Sequence, residues 1–171
     1  MFPEILTEAR SLVLKRINSL INAETKVSDS MLYTSTAESK MIRSALLIAA
    51  SKKNTSLTRL SAINLATSIE LLHSYSLIHD DLPSMDNDNM RRGKDSNHIK
   101  YGEAIAILSG DALQTLAFEV ITNDDDLDSD LKVSAISLLT DACGHKGMVL
   151  GQELDITCLL YTSDAADDAS S

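Results

Sequence analysis

A long run of helical period, from about Leu57 to Leu82, carries Asp80 and Asp81 in its last turn and is stopped by Pro83. Proline disfavours helix in the residue before it, so the run predicts one long helix with a fixed end. Ile63, Ala66, Ile69 and Leu72, flanked by Leu65 and Leu71, form its apolar stripe. Two carboxylates at a helix C-terminus repel each other and the negative end of the helix dipole. Asp86 and Asp88 follow closely, and then a basic cluster, Arg91, Arg92 and Lys94. For an isolated acidic cluster a solvated loop is the plain alternative. The cationic neighbours and the long helix argue for a site instead.

Asp86 lies six residues beyond Asp80, which is not a same-face spacing on a helix. Pro83 resolves this, because the chain leaves the helix there and can fold Asp86 back toward Asp80. Magnesium takes oxygen ligands in octahedral geometry and keeps several waters, so one or two carboxylates plus phosphate oxygens suffice. Arginines beside such an ion take the remaining phosphate oxygens. The residue types in this order suit a magnesium ion that is itself holding a diphosphate.

The rest of the 171 residues reads as one all-α domain. Aromatics are only 4% and there are two prolines, a composition that favours helices over a sheet. Ile5, Leu6, Ala9, Leu12, Val13, Ile17, Leu20 and Ile21 predict an amphipathic first helix, and Asn22 to Ser35 reads as a polar loop. A second helix is expected from Ala37 to Ala50. Pro83 to Gly102 reads as a charged loop too polar to be core, and Glu103 to Thr122 as a helix with Gly110 where another backbone approaches. The acidic segment after Thr122 reads as a solvated connection, and Leu131 to Ile156 as a helical region bent near Gly144. Residues 158–171, CLLYTSDAADDASS, carry no helical period and are expected to be a foreign or disordered tail, leaving 1–157 as the domain.

A net charge of −10 argues against nucleic acid or an anionic membrane as a bulk partner. No run approaching the ~20 apolar residues of a membrane span is evident, and the N-terminus lacks a secretory pattern. Cys143 and Cys158 stand alone, which suggests free thiols in a reducing, cytoplasmic setting.

The segment DDLPSMDNDNMRRG resembles the first aspartate-rich motif of the polyprenyl synthetases, in particular the bacterial-type farnesyl and geranylgeranyl diphosphate synthases. LSGDALQTLAF and GQELDI also read as motifs of that family. The resemblance runs from the first helix to about Ile156 and implies the N-terminal part of a trans-prenyltransferase helical bundle. It implies Asp80, Asp81 and Asp86 as the catalytic aspartates, with Asp80 and Asp86 as magnesium ligands and Asp81 supporting them. Arg91 would hold an allylic diphosphate (dimethylallyl or geranyl) and Arg92 isopentenyl diphosphate. His73 matches a histidine of the isopentenyl site, although a lone histidine is by itself more often structural. Where the family has Gly-Gly-Lys-Arg-Leu-Arg-Pro, this chain has ESKMIRS from Glu38 to Ser44. Lys40 and Arg43 remain as isopentenyl-phosphate contacts, the middle arginine is Met41, the proline is Ser44, and both glycines are lost.

The resemblance also implies head-to-tail prenyl transfer and, when full length, a homodimer. Tyr75, five residues before Asp80, resembles the bulky residue that limits product length in farnesyl-producing members. A second aspartate-rich motif is not among these residues, so the chain as given is expected to be an inactive fragment. The alternatives are a prenyltransferase-like non-catalytic regulatory subunit or a diphosphate-binding fragment. A His-Asp phosphohydrolase built around His79 and Asp80 would need an upstream histidine, and none precedes His73.

Overall fold

A computed structural model describes residues 2–22, 24–54 and 56–157. The elements are α1 (Phe2–Leu20), α2 (Lys26–Ser35), α3 (Ile42–Ser51), α4 (Arg59–Asp80), β1 (Met90–Arg91), β2 (Lys94–Asp95), α5 (Asn97–Tyr101), α6 (Glu103–Thr122) and α7 (Ser129–Cys143). The chain divides into two compact units, the first ending at Lys132 and the second beginning at Val133. In the second, α7 ends at Cys143, a turn through Gly144 and Gly147 follows, and residues 148–157 are again helical. The expected break near Gly144 is therefore present. The expectation for Cys158 to Ser171 lies outside the described residues.

In the first unit α4 is the central helix, packed on α6, α3, α1 and α2. Thr58 caps it by accepting from the Ser61 amide, and it runs without a breaker to Asp80. Its buried positions lie on more than one face, including Ala62, Ala66, Leu71, Leu72, Tyr75 and Ile78. α1 contributes Ala9, Val13 and Ile17, a stripe at helical spacing with no measurable exposure.

Several local expectations are corrected. The polar stretch before Ser35 is a helix, α2, capped by Thr25 through the Ser28 amide. Its inward face is built from Ser28, Ser30, Met31 and Ser35, so the helical period is written in serines, invisible to a hydrophobic pattern. Ser30 donates to Asn97 Oδ1 at 2.7 Å and shares a 2.8 Å hydrogen bond with the Ser109 hydroxyl. α3 starts at Ile42 rather than Ala37, because Met41 adopts a left-handed conformation at φ 44° that breaks any continuous helix there. The charged loop after Pro83 folds into a short antiparallel hairpin and α5, and Ser96, Asn97 and His98 are buried. Asn97 satisfies its amide on the Ser30 carbonyl and the Thr34 hydroxyl, which makes a polar residue admissible there.

The acidic connection after Thr122 is likewise not wholly solvated. Asp124 is 3% exposed and accepts from Ser61 Oγ at 3.1 Å and Asn64 Nδ2 at 2.9 Å. Asn64 in turn accepts from Arg16 Nε at 2.8 Å, so α1, α4 and the connection share one polar network. α6 is also long and apolar enough to span a membrane by length and composition, with a mean hydropathy of 1.5, contrary to expectation. Here it packs against α4, α2 and α5 and buries Ala106, Leu113, Ala117, Val120 and Ile121. Gly110 does mark a close approach, but of a side chain: an added Cβ would lie 2.1 Å from His79 Nε2.

Replacing Asp124 with alanine strips two buried donors of their acceptor. The expected cost is about 2–4 kcal/mol, read as a lower denaturant midpoint. An unchanged midpoint would remove this network from the account of stability. Gly110→Ala is expected to cost about 1–3 kcal/mol by driving the His79 ring off its contact with the Ile107 carbonyl. His79→Ala in the same chain should recover most of that loss, and additive costs would show that the two positions do not meet.

Candidate functional site

The C-terminal end of α4 turns back on itself immediately after Pro83. The Asp86 amide donates to the Asp80 carbonyl at 2.9 Å and the Asp88 amide to the Asp81 carbonyl at 3.2 Å. The return predicted from the spacing of Asp80 and Asp86 is thus made by the backbone. Burial pushes the Asp80 carboxyl above the ordinary carboxylate range, and the nearby Asp86 carboxylate adds to that, while Arg91 pulls it down.

Asp81 is 2% exposed and belongs to a different arrangement. Arg91 Nε donates to its two carboxylate oxygens at 2.7 and 2.9 Å, and Arg91 Nη2 lies 2.6 Å from Oδ1. Arg91 sits on β1 and is followed by Arg92 and Gly93, both at positive φ (54° and 77°). Two such residues between paired strands form the tight turn that matches strand twist, and Gly93 adopts it without strain. Arg91 and Arg92 part company there. Arg91 meets the aspartate at the helix end, and Arg92 Nη1 donates to the Glu38 carbonyl at 3.1 Å.

A cavity of about 640 Å³ opens beside Arg92. Lys40, Arg43, His73 and Arg92, four positions spread over more than 50 residues, all line it. Arg10, Glu38 and Glu70 join them, three residues to which the sequence reading assigned no role. The signal for Arg10 was its place beside Ala9 on the buried stripe of α1. Glu70 is buried and accepts from the Ser44 hydroxyl at 2.6 Å and the Ser44 amide at 3.2 Å. A proline at position 44 could make neither bond. Asp80, Asp81 and Asp86 do not line this cavity. Asp81, Arg91 and Arg92 line a smaller one of about 60 Å³, so Arg92 borders both. Tyr75 is buried on α4 with its ring edge-on to His79 at 5.6 Å.

Among the described residues no three His, Cys, Asp or Glu side chains are grouped to hold a metal by themselves. Asp80 and Asp86 nevertheless fit a cation that draws only one or two ligands from protein. Their backbones are joined, and the Asp86 charge adds to the cost of ionising Asp80. Such a pair suits magnesium carrying its waters and a bound phosphate.

Burial holds the His73 imidazole below its ordinary value of 6.5, with Arg43 the next largest influence in the same direction and Glu70 opposing. A base depressed in the folded state favours the fold while neutral. Its contribution is complete above about pH 6.5 and is lost as pH falls through the lower folded value. His73→Gln is therefore expected to flatten the loss of stability below pH ~6.5, measured as the denaturation midpoint against pH. An undiminished slope in the variant would assign that titration to another group.

Residues 24–170 match the polyprenyl synthetase family. The chain is 43% identical over 143 residues to farnesyl diphosphate synthase of Buchnera aphidicola subsp. Acyrthosiphon pisum, covering 82% of this chain and 50% of that protein. It is 42% identical over 153 residues to farnesyl diphosphate synthase of Geobacillus stearothermophilus, covering 87% and 50%. The apo crystal structure of an FPP/GFPP synthase from Zymomonas mobilis matches with a TM-score of 0.83 at 33% identity, over 92% of this chain and 59% of the other. A geranyltransferase from Legionella pneumophila matches with a TM-score of 0.77 at 37% identity, over 88% and 53%. The chain spans about half the length of the curated relatives it matches. Its sequence over nearly its whole length, and its helical fold, both make it a member of the polyprenyl synthetase family.

Proposed function

We propose that this chain carries the isopentenyl diphosphate site and the first magnesium-diphosphate cluster of a head-to-tail prenyltransferase, with farnesyl diphosphate the preferred product. The observation that carries the proposal is the meeting of Lys40, Arg43, His73 and Arg92 around one cavity in a chain of net charge −10. Such a cavity is a local trap for an anion, and arginines paired with a lysine suit phosphate oxygens. The relatives' names supply the class of anion.

In the reaction, the carbon–oxygen bond of an allylic diphosphate breaks and pyrophosphate departs. The double bond of isopentenyl diphosphate then forms the new carbon–carbon bond, and a proton passes to the pyrophosphate. Magnesium held by Asp80 and Asp86 would neutralise the leaving diphosphate. Arg91, anchored by Asp81 at the helix end, would present its remaining N–H groups to the same oxygens. Lys40, Arg43 and Arg92 would fix the diphosphate of the nucleophile, with neutral His73 beside them. No protein nucleophile is required. Tyr75 would limit product length from its buried place on α4, and two copies of the complete protein would form the working assembly.

Calorimetric titration of the 171-residue chain tests this. Isopentenyl diphosphate is expected to bind without magnesium, about tenfold to a hundredfold more weakly to Lys40→Gln or Arg92→Gln. Geranyl diphosphate is expected to need magnesium and to lose that dependence in Asp80→Asn. Isopentenyl diphosphate binding that ignores both cation substitutions would overturn the assignment of the cavity. Turnover by the same preparation should be absent, because these residues supply one aspartate-rich cluster. Turnover at an ordinary synthase rate would show that one cluster suffices.

A further inference from the structure

Arg10 enters the cation cavity from α1, next to the buried Ala9. Its Nε is buried and, among the described residues, has no hydrogen-bond partner. Other arginines of the same unit are treated differently. Arg16 Nε donates to Asn64 Oδ1 at 2.8 Å, and Arg91 Nε donates to the Asp81 carboxylate. A buried guanidinium N–H without an acceptor is costly and uncommon, so this one is open to an acceptor from outside the described residues.

The cavity itself offers Arg10 no carboxylate that is both buried and unengaged. Glu70 is already bonded by the Ser44 hydroxyl and amide, and Glu38 is exposed. Four cations line the cavity against these two carboxylates, leaving a local excess of positive charge. Met41 fills the position between Lys40 and Ile42 with a buried apolar side chain, so Lys40 is the only cation from residues 38–42. The cavity, at about 640 Å³, has room for a diphosphate among these side chains.

We propose that Arg10 is a further diphosphate-binding residue of this cavity, donating from α1 to phosphate oxygens that Lys40, Arg43 and Arg92 leave open. This rests on the diphosphate assignment of the cavity and extends it to a helix that the family motifs do not mark. A planar guanidinium reads two oxygens at once, so charge alone does not replace it.

Inorganic pyrophosphate and isopentenyl diphosphate, titrated calorimetrically into the full 171-residue chain, supply the test. Arg10→Gln is expected to weaken both by about tenfold or more, and Arg10→Lys to recover only part of the loss. Because Arg10 Nε has no hydrogen bond to lose among the described residues, the ligand-free melting midpoint of Arg10→Gln should stay at or above that of the parent. A falling midpoint with unchanged affinity would make Arg10 structural and overturn the proposal. Arg92→Gln serves as the companion measurement. If it weakens binding while Arg10→Gln does not, the Arg10 inference fails and the cavity assignment stands. If the parent chain binds neither anion, the cavity assignment fails and takes Arg10 with it. Should Arg10→Gln not fold, Arg10→Met fills similar space without charge and decides by the same affinity comparison.

Discussion

The buried ion pair between Asp81 and Arg91 fixes the geometry on which everything else near the site depends. Asp81 caps the end of α4 and Arg91 closes β1 of the hairpin, so three short contacts between them dock the hairpin onto the helix end. Removing one partner of such a pair strands the other charge and typically costs about 3–5 kcal/mol. The docking settles two things at once. It holds open the tight turn at Arg92 and Gly93, which sends Arg92 toward Glu38 and the large cavity. It also engages Asp81, while the neighbouring Asp80 carboxyl feels the charge of Asp86.

Where the sequence wrote its periods in apolar residues, the fold was readable. α1 buries Ala9, Val13 and Ile17 of its expected stripe, whereas on α4 Ala66 and Leu72 are buried but Ile63 and Ile69 only partly. Pro83 marks the end of α4 to within a few residues. α2 was unreadable for the opposite reason. It packs against α6 where Ser30 and Ser109 share a hydrogen bond, and small polar residues there carry the periodicity that Leu or Ile carry elsewhere. Asp124 and Asn97 misled in the same way. Each is polar by type yet buried by context, and each has partners more than 50 residues away that no local window contains. The left-handed Met41 is a backbone state that side-chain chemistry does not announce.

The site divides along a similar line. Lys40, Arg43, His73 and Arg92 were found because a motif ordered them. Their meeting around one cavity is a tertiary fact that spacing alone did not contain. Arg10 and the Ser44–Glu70 pair were missed because nothing in the motif marks them. Ser44 supplies an amide and a hydroxyl to Glu70, and so satisfies a buried carboxylate in the lining of the cation cavity. That contact gives the departure from proline at position 44 a physical role.

The protein is acidic overall and cationic locally, and the two features act together. Net negative charge repels anions in bulk, so an anion is retained only where several fixed cations face a confined volume. The same cations repel one another while the cavity is empty. The depressed His73 imidazole registers that field: burial is its main cause, but Arg43, Arg92 and Arg91 all act in the same sense. An anion in the cavity relieves the repulsion, supplies an acceptor for buried donors and favours proton uptake by His73. Binding and stability are therefore linked, since a ligand at free concentration L that binds only the folded chain stabilises it by RT ln(1 + L/Kd). The aspartate cluster follows the same rule with the sign reversed, for there an added cation relieves the mutual repulsion of Asp80 and Asp86. The hairpin touches both, with Arg91 bonded to Asp81 at the acidic helix end and Arg92 lining the cation-rich cavity.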